Sequence, residues 1–190
     1  MTLPDENDGA GGDDVASFLD VSRFAIREAV PGDAEEIARA HVASWRASYR
    51  GILPDDILDD LDVGQRTSSR RNILRDQTSL HLVAYEVSRG NIVGFCDAGR
   101  RRRDVPYAGE IYAIYLEHHA KRYGLGRELF ERSTDWLSAR GLRSLVVWVL
   151  DGNHHARRFY EAMGGRAALR LRSSVGHFAV WEVGYVWDRI

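Results

Sequence analysis

The chain has 190 residues, with 26 Lys+Arg against 28 Asp+Glu for a formal net charge of −2, and it is 44% hydrophobic and 10% aromatic. That size fits one domain with room for a tail, and that composition can build a packed core, which excludes wholesale disorder. No apolar run approaches the roughly 20 residues of a membrane span, and the single cysteine, Cys96, excludes an internal disulfide and a cysteine-based zinc site.

In chain order, residues 1–22 come first, with six acids (Asp5, Glu6, Asp8, Asp13, Asp14 and Asp20) and no Lys or Arg. The other 168 residues therefore hold 26 basic and 22 acidic groups, a net of +4. The small, polar run from Asp8 to Asp14 cannot bury enough surface to offset its ordering entropy. The expectation is a disordered acidic arm over 1–22, with Phe18, Leu19 and Val21 as a short apolar anchor, before a single domain over 23–190. This start lacks the basic and apolar stretches of a secretory leader, so a cytoplasmic location is expected. The mildly basic remainder suits a phosphate-bearing small ligand and falls short of a nucleic-acid-binding charge.

Alternation in Phe24-Ala-Ile-Arg-Glu-Ala29 predicts a strand, and Pro31-Gly32-Asp33 breaks it. Asp33 followed by Glu36 resembles a helix start, and Ile37, Ala40, His41, Ser44, Trp45, Ser48 and Tyr49 recur at helical spacing up to Gly51. Short helices follow from Pro54 and over 65–76. Strands His81–Val87 and Ile92–Ala98 flank a turn at Ser88-Arg89-Gly90-Asn91, and Gly109–Leu116 is the next strand. Gly124–Arg140 reads as an amphipathic helix, and the unbroken apolar run Leu145–Leu150 as a strand buried on both faces. His154–Met163 is helical, Gly164-Gly165 stops it, and 167–173 with 177–187 form an antiparallel pair. The order predicts an α/β (α+β) fold, one mixed sheet of about seven strands flanked by helices. Three successive strands argue against a doubly wound nucleotide fold.

Two segments carry chemistry. In Lys121-Arg-Tyr-Gly-Leu-Gly-Arg127, Gly124 and Gly126 stand at a helix start, where the first amides lack partners and the dipole favours an anion such as a pyrophosphate. Lys121, Arg122 and Arg127 add charge. A dinucleotide fingerprint would need a third glycine where Leu129 stands, and a P-loop would need Gly-Lys-Ser/Thr. After the apolar strand, Asn153 can cap the next helix, and Tyr160 lies about two turns further on.

Together, Glu110 on its strand, Lys121-x-x-Gly124-x-Gly126 and Asn153-x-x-Ala156-x-x-Phe159-Tyr160 resemble the GCN5-related N-acetyltransferase (GNAT) family, over about residues 24–187. Ile26-Arg27-x-Ala29 with Asp33–Ile37 is similar to a family N-terminus, and Trp45-Arg-x-x-Tyr49-Arg-Gly51 with Pro54 resembles a bacterial branch. The resemblance implies a mostly antiparallel sheet whose fourth and fifth strands splay to admit the pantetheine of acetyl-CoA, an acyl donor used without a metal. It implies that Ile114, Tyr115 and Leu116 pair with pantetheine through their backbone. Lys121, Arg122, Tyr123, Gly124, Leu125, Gly126 and Arg127 would hold the pyrophosphate, and Asn153, Ala156 and Phe159 would border the pantetheine arm. Lys121 departs from the family's usual Gln or Arg and loses bidentate geometry. Homodimers are common in the family.

The implied reaction is direct attack of a primary amine on the thioester through a tetrahedral intermediate. Tyr160 is the expected general acid and Glu110 the expected base, directly or through water. Strand alternation puts Tyr112, Ile114 and Leu116 on the face of Glu110. Trp45 and Tyr49, four apart on one helical face, are expected at an acceptor pocket for a small-molecule or peptide amine, although core packing also accounts for them. His118-His119 and His154-His155 have poor spacing for one metal ion. Arg100–Arg103 reads as a solvated hairpin loop, with a contact to an acidic acceptor or a cofactor phosphate as the alternative. Two competing readings are a non-catalytic acyl-CoA-binding or regulatory module and a protein- or nucleic-acid-directed acetyltransferase.

Overall fold

The computed structural model describes residues 23–190, so the expected arm and its apolar anchor lie outside the described residues. Apolar–polar alternation builds β1 (Phe24–Glu28), which pairs antiparallel with β2 (Leu80–Glu86), and β2 pairs antiparallel with β3 (Ile92–Arg100). Between β1 and β2 run α1 (Ala34–Tyr49), α2 (Asp55–Asp59) and α3 (Val63–Ile73). Then follow β4 (Gly109–Leu116), α4 (Leu125–Ala139), β5 (Leu145–Leu150), α5 (His154–Ala162), β6 (Arg166–Val175) and β7 (Phe178–Trp187). The seven strands form one sheet in the order β1-β2-β3-β4-β5-β7-β6, antiparallel except for β4–β5. Among the described residues no helix is long and apolar enough to cross a membrane.

The helices divide between the two faces of the sheet. Leu125, Leu129, Phe130 and Leu137 of α4 pack with Ile111, Leu145, Val147 and Tyr185 on one face. Ile37 of α1 packs with Val83 and Phe95 on the other, where Tyr49 joins Leu53, Leu58 and Leu150. Asp33 does not close the end of α1 as its sequence position predicts. A single 3-10 turn, Pro31–Asp33, precedes the helix, and the Asp33 carboxylate turns back to pair with Arg27 at 2.6 Å and accept from the Val30 amide at 2.8 Å. A guanidinium within reach outcompetes a helix amide, because the ionic hydrogen bond is the stronger.

One irregularity organises the rest. Consecutive Asp97 and Ala98 of β3 register with Ala113 and Ile111 of β4, so Tyr112 is an extra residue in β4. Such a bulge bends its strand and increases its twist. It also re-phases the side chains: Ile111, Ile114 and Leu116 face α4, while Ala113 and Tyr115 face α1. Glu110, adjacent to Ile111 and on the opposite face, therefore shares a side with Ala113 and Tyr115. That corrects the expectation that Ile114 and Leu116 accompany it.

Candidate active site

β4 and β5 run side by side for three register pairs only, Gly109–Leu145, Glu110–Val146 and Ile111–Val147. Beyond the bulge β4 stays with β3 up to the Gly94–Leu116 pair, whereas β5 follows β7 to the Leu150–Glu182 pair. The sheet thus forks at Tyr112. From there to Leu116, the β5-facing edge of β4 has no strand partner among the described residues. Exposed N–H and C=O groups at strand spacing are a template for an extended, amide-bearing ligand.

The chain leaves this edge into the glycine loop. Arg122 (φ 70°) and Gly124 (φ 80°) both take left-handed conformations, and α4 begins at Leu125. The first helical bond runs from the Glu128 amide to the Gly124 carbonyl. The amides of Arg122 through Arg127 find no acceptor among the described residues. Alternating left-handed residues followed by a helix N-terminus create a concave row of N–H donors suited to a phosphate. A Cβ on Gly124 would meet nothing within 4 Å, so its role is conformational, whereas one on Gly126 would lie 3.4 Å from Phe159 and 3.6 Å from Leu116. Lys121 and Arg122 flank the loop, and Arg127 is 3.7 Å from Glu131. Tyr123 packs edge-on against Phe24 at 5.0 Å. Sequence reasoning missed His155 and Arg158. The His155 pKa is lowered, first by burial and then by the positive field of Lys121, Arg158 and Arg122, so all these groups share one basic patch.

On the other prong of the fork, Asn153 caps α5, its Oδ1 accepting from the Ala156 amide at 3.1 Å, and its side chain is buried. Tyr160 follows on α5, enclosed by Phe130, Phe159, Tyr185 and Trp187. Burial drives its phenol pKa far above the ordinary value, with smaller contributions from Cys96 and Tyr49. A phenol so placed keeps its proton and is available as a donor. Tyr115, on the open edge, is half-buried and bonded through its hydroxyl to that of Tyr49 at 2.9 Å.

Glu110 sits where the prongs meet. It is buried, and Oε2 accepts from the Arg102 amide at 2.8 Å. Desolvation raises its pKa, Arg102 and Arg103 oppose that shift, and Glu182 adds to it. The Arg100–Arg103 run lies at the β3–β4 hairpin loop with Arg100, Arg101 and Arg102 exposed, as a solvated loop requires, while Arg103 is half-buried. Arg102 lies over Tyr112 at 3.4 Å, and Arg103 lies over Trp148 at 4.6 Å with Glu182 at 2.6 Å. The run approaches the start of β4, at the opposite end of the strand from the glycine loop, so it does not join the basic patch there.

On the α1 face, a cavity of ≈ 270 Å³ opens between Trp45, the α2 region (Asp56, Ile57, Asp60, Leu61), Arg66 of α3 and the β6–β7 turn (Val175, Gly176, His177). Trp45 forms one wall. Its ring is 5.0 Å from that of Tyr49 and 6.4 Å from that of Tyr115, which links the cavity to the fork. Tyr49 lies behind Trp45 and is not in the wall. A second depression, ≈ 500 Å³ at Arg101, Asp104, Tyr107 and Ser144, borders the closed end of the fork. Among the described residues no three His, Cys, Asp or Glu side chains converge as metal ligands.

This geometry has counterparts. The model of the acetyltransferase (GNAT) family matches residues 37–165. An uncharacterized N-acetyltransferase of Bacillus subtilis (strain 168), YuaI, is 31% identical over 163 residues, 85% of this chain and 91% of that protein. Among solved structures, the PaiA N-acetyltransferase of Thermoplasma acidophilum in complex with coenzyme A superposes with a TM-score of 0.64 at 18% identity, covering 84% of this chain and 97% of that one. The yncA acetyltransferase of Salmonella typhimurium with acetyl-CoA gives a TM-score of 0.64 at 19% identity, covering 86% and 92%.

Proposed function

Because the chain belongs to the acetyltransferase (GNAT) family, we propose that it moves the acetyl group of acetyl-CoA onto a primary amine of a small molecule or peptide. One observation carries this reading: an open strand edge on β4 runs directly into six successive unclaimed amides, Arg122 to Arg127. Acetyl-CoA supplies an acetyl thioester, two pantetheine amides and a pyrophosphate, and the donors present fit that set. Tyr112 to Leu116 would align the pantetheine amides. The loop amides, with Lys121 and Arg122, would hold the pyrophosphate. Asn153, whose Oδ1 is committed to its cap, would turn its amide nitrogen to the arm.

The residues at the fork divide the proton work. An alkylammonium with pKa about 10.4 carries no lone pair, so the acceptor must lose a proton first. Glu110, with its raised pKa, takes that proton directly or through water. Backbone N–H groups of β4 near Leu116 stabilise negative charge developing on the carbonyl oxygen. Tyr160, protonated throughout, gives a proton to the departing thiolate. The acceptor enters from the Trp45 cavity, on the same face as Glu110 and Tyr115.

The test is free-CoA release by the purified chain across a panel of amines. Tyr160→Phe should cut turnover by on the order of 10² to 10⁴, as for a lost general acid, with acetyl-CoA binding retained. Unchanged turnover would remove Tyr160 from that role. Acetyl-CoA binding without CoA release from any amine would make the chain a binding module instead.

A further inference from the structure

Among the described residues, the proposed acceptor cavity is lined by one permanent cation that no acid pairs. The guanidinium of Arg66 lies 5.3 Å from the centre of the Trp45 ring in the cavity wall, is half-buried, and has no hydrogen bond or ion pair to any described residue. Its neighbours on this face are all engaged. Arg46 donates to the carbonyls of Leu58, Asp59 and Leu61, Arg50 pairs with Asp55 and Asp59, and Arg70 pairs with Asp97. The acids nearby are mostly engaged as well. Asp62 caps α3 through the Gln65 amide at 2.6 Å, and Asp56 lies 3.6 Å from His177. Asp60 stands exposed at the rim.

A guanidinium held against an indole presents its fork of N–H donors edge-on, the geometry that carboxylates accept bidentately. A carboxylate matches its single charge. A phosphate dianion would leave its second charge unmatched by the single guanidinium, beside Asp56 and Asp60. Trp45 spans from Arg66 to Tyr49 and Tyr115, so a molecule anchored at Arg66 can extend along the indole toward the fork. Resting on the acetyltransferase reading above, we propose that the acceptor is a primary amine that also carries a carboxylate, an amino acid or short peptide. Arg66 is the residue that reads the carboxylate.

The experiment measures acetyl-CoA-dependent CoA release by the full chain on matched pairs of amines. The pairs are α- and ω-amino acids against their decarboxylated amines, and dipeptides against their C-terminal amides. The wild type should favour at least one class of carboxylate member by on the order of 10- to 100-fold in kcat/KM, the range for a hydrogen bond to a charged group. Arg66→Met should collapse that ratio through KM, and Arg66→Lys should give an intermediate ratio, since the charge survives without the fork. Three results would overturn the proposal: no carboxylate preference in the wild type, a ratio that survives Arg66→Met, or a preference for diamines that Asp60→Asn removes. The first needs no variant, so a misfolded substitution cannot shield the idea. In each of these cases CoA is still released. A chain that binds acetyl-CoA, by its melting shift, yet releases CoA with no amine fails as an acetyltransferase, and the carboxylate proposal fails with it.

Discussion

α4 and α3 border the two halves of the proposed site, and opposite forces hold them. α4, whose first turn closes the donor loop, buries Leu125, Leu129, Phe130 and Leu137 in the main core. At about 1.5–3 kcal/mol for each fully buried large apolar side chain, that anchorage is strong, non-directional and insensitive to pH. α3, which carries Arg66 to the proposed acceptor cavity, has no apolar stripe, and its buried residues are Thr67 and Arg70. It is tied to the sheet by Arg70, which donates to both Asp97 oxygens at 2.9 and 2.7 Å and lies over Phe95 at 4.5 Å. His81 completes the cluster through Nδ1, 2.7 Å from Asp97. Burial pushes the Asp97 pKa up, but His81 and Arg70 outweigh it and hold the carboxylate below its usual range. The tie is therefore complete above the ordinary aspartate range and is lost as pH falls through the depressed pKa. The donor wall is packed and the acceptor wall is bonded, so the two should fail separately.

The largest test of that contrast is Asp97→Ala. Stranding the buried Arg70 should cost about 3–5 kcal/mol in a denaturant melt, and the KM of the amine should rise more than that of acetyl-CoA. Equal increases would mean that the two walls are not independent. Gly124→Val probes the other half. A β-branched residue at φ 80° should cost about 1–2 kcal/mol, and the KM for acetyl-CoA should rise while that of the amine holds. A shift confined to the amine would break the contrast. The smallest effect on folding belongs to Glu110→Gln, between the walls. As a base with a raised pKa, wild-type Glu110 gives a rate that climbs as pH rises through that pKa, and the glutamine variant should lose the climb. In stability the sign reverses. Protonated Glu110 suits its buried site and the ionised form does not, so glutamine should raise the melting temperature at neutral pH and match the wild type in acid. Coincident pH–rate profiles would assign the base elsewhere.

The contrast also marks what the sequence made legible. The donor half is a chain of backbone groups at fixed local spacing, Lys121-x-x-Gly124-x-Gly126 and the Asn153 cap, so a linear reading finds it. The acceptor half draws on residues 45, 56, 60, 66 and 175–177, which no local pattern connects. The strands and helices follow from periodicity, but the extra residue Tyr112 is silent, because Glu110-Ile-Tyr-Ala-Ile-Tyr-Leu116 reads as unbroken alternation. Hence alternation places Glu110 on its strand but gives it Ile114 and Leu116 as companions in place of Ala113 and Tyr115. Glycine marks one left-handed position in the donor loop. Nothing in the residue type announces the other, at Arg122.

The three register pairs between β4 and β5 have a mechanical consequence. The sheet behaves as two panels stitched at one end, β1 to β4 on one side and β5, β7 and β6 on the other. A ligand lying along the open edge would extend the seam, borrowing for the length of its arm the place of a missing strand. Saturation to 100 times Kd would then tighten the whole sheet by about 2.7 kcal/mol. The donor substrate would be part of the scaffold each time it binds, and every turnover would unstitch and restitch the sheet along β4.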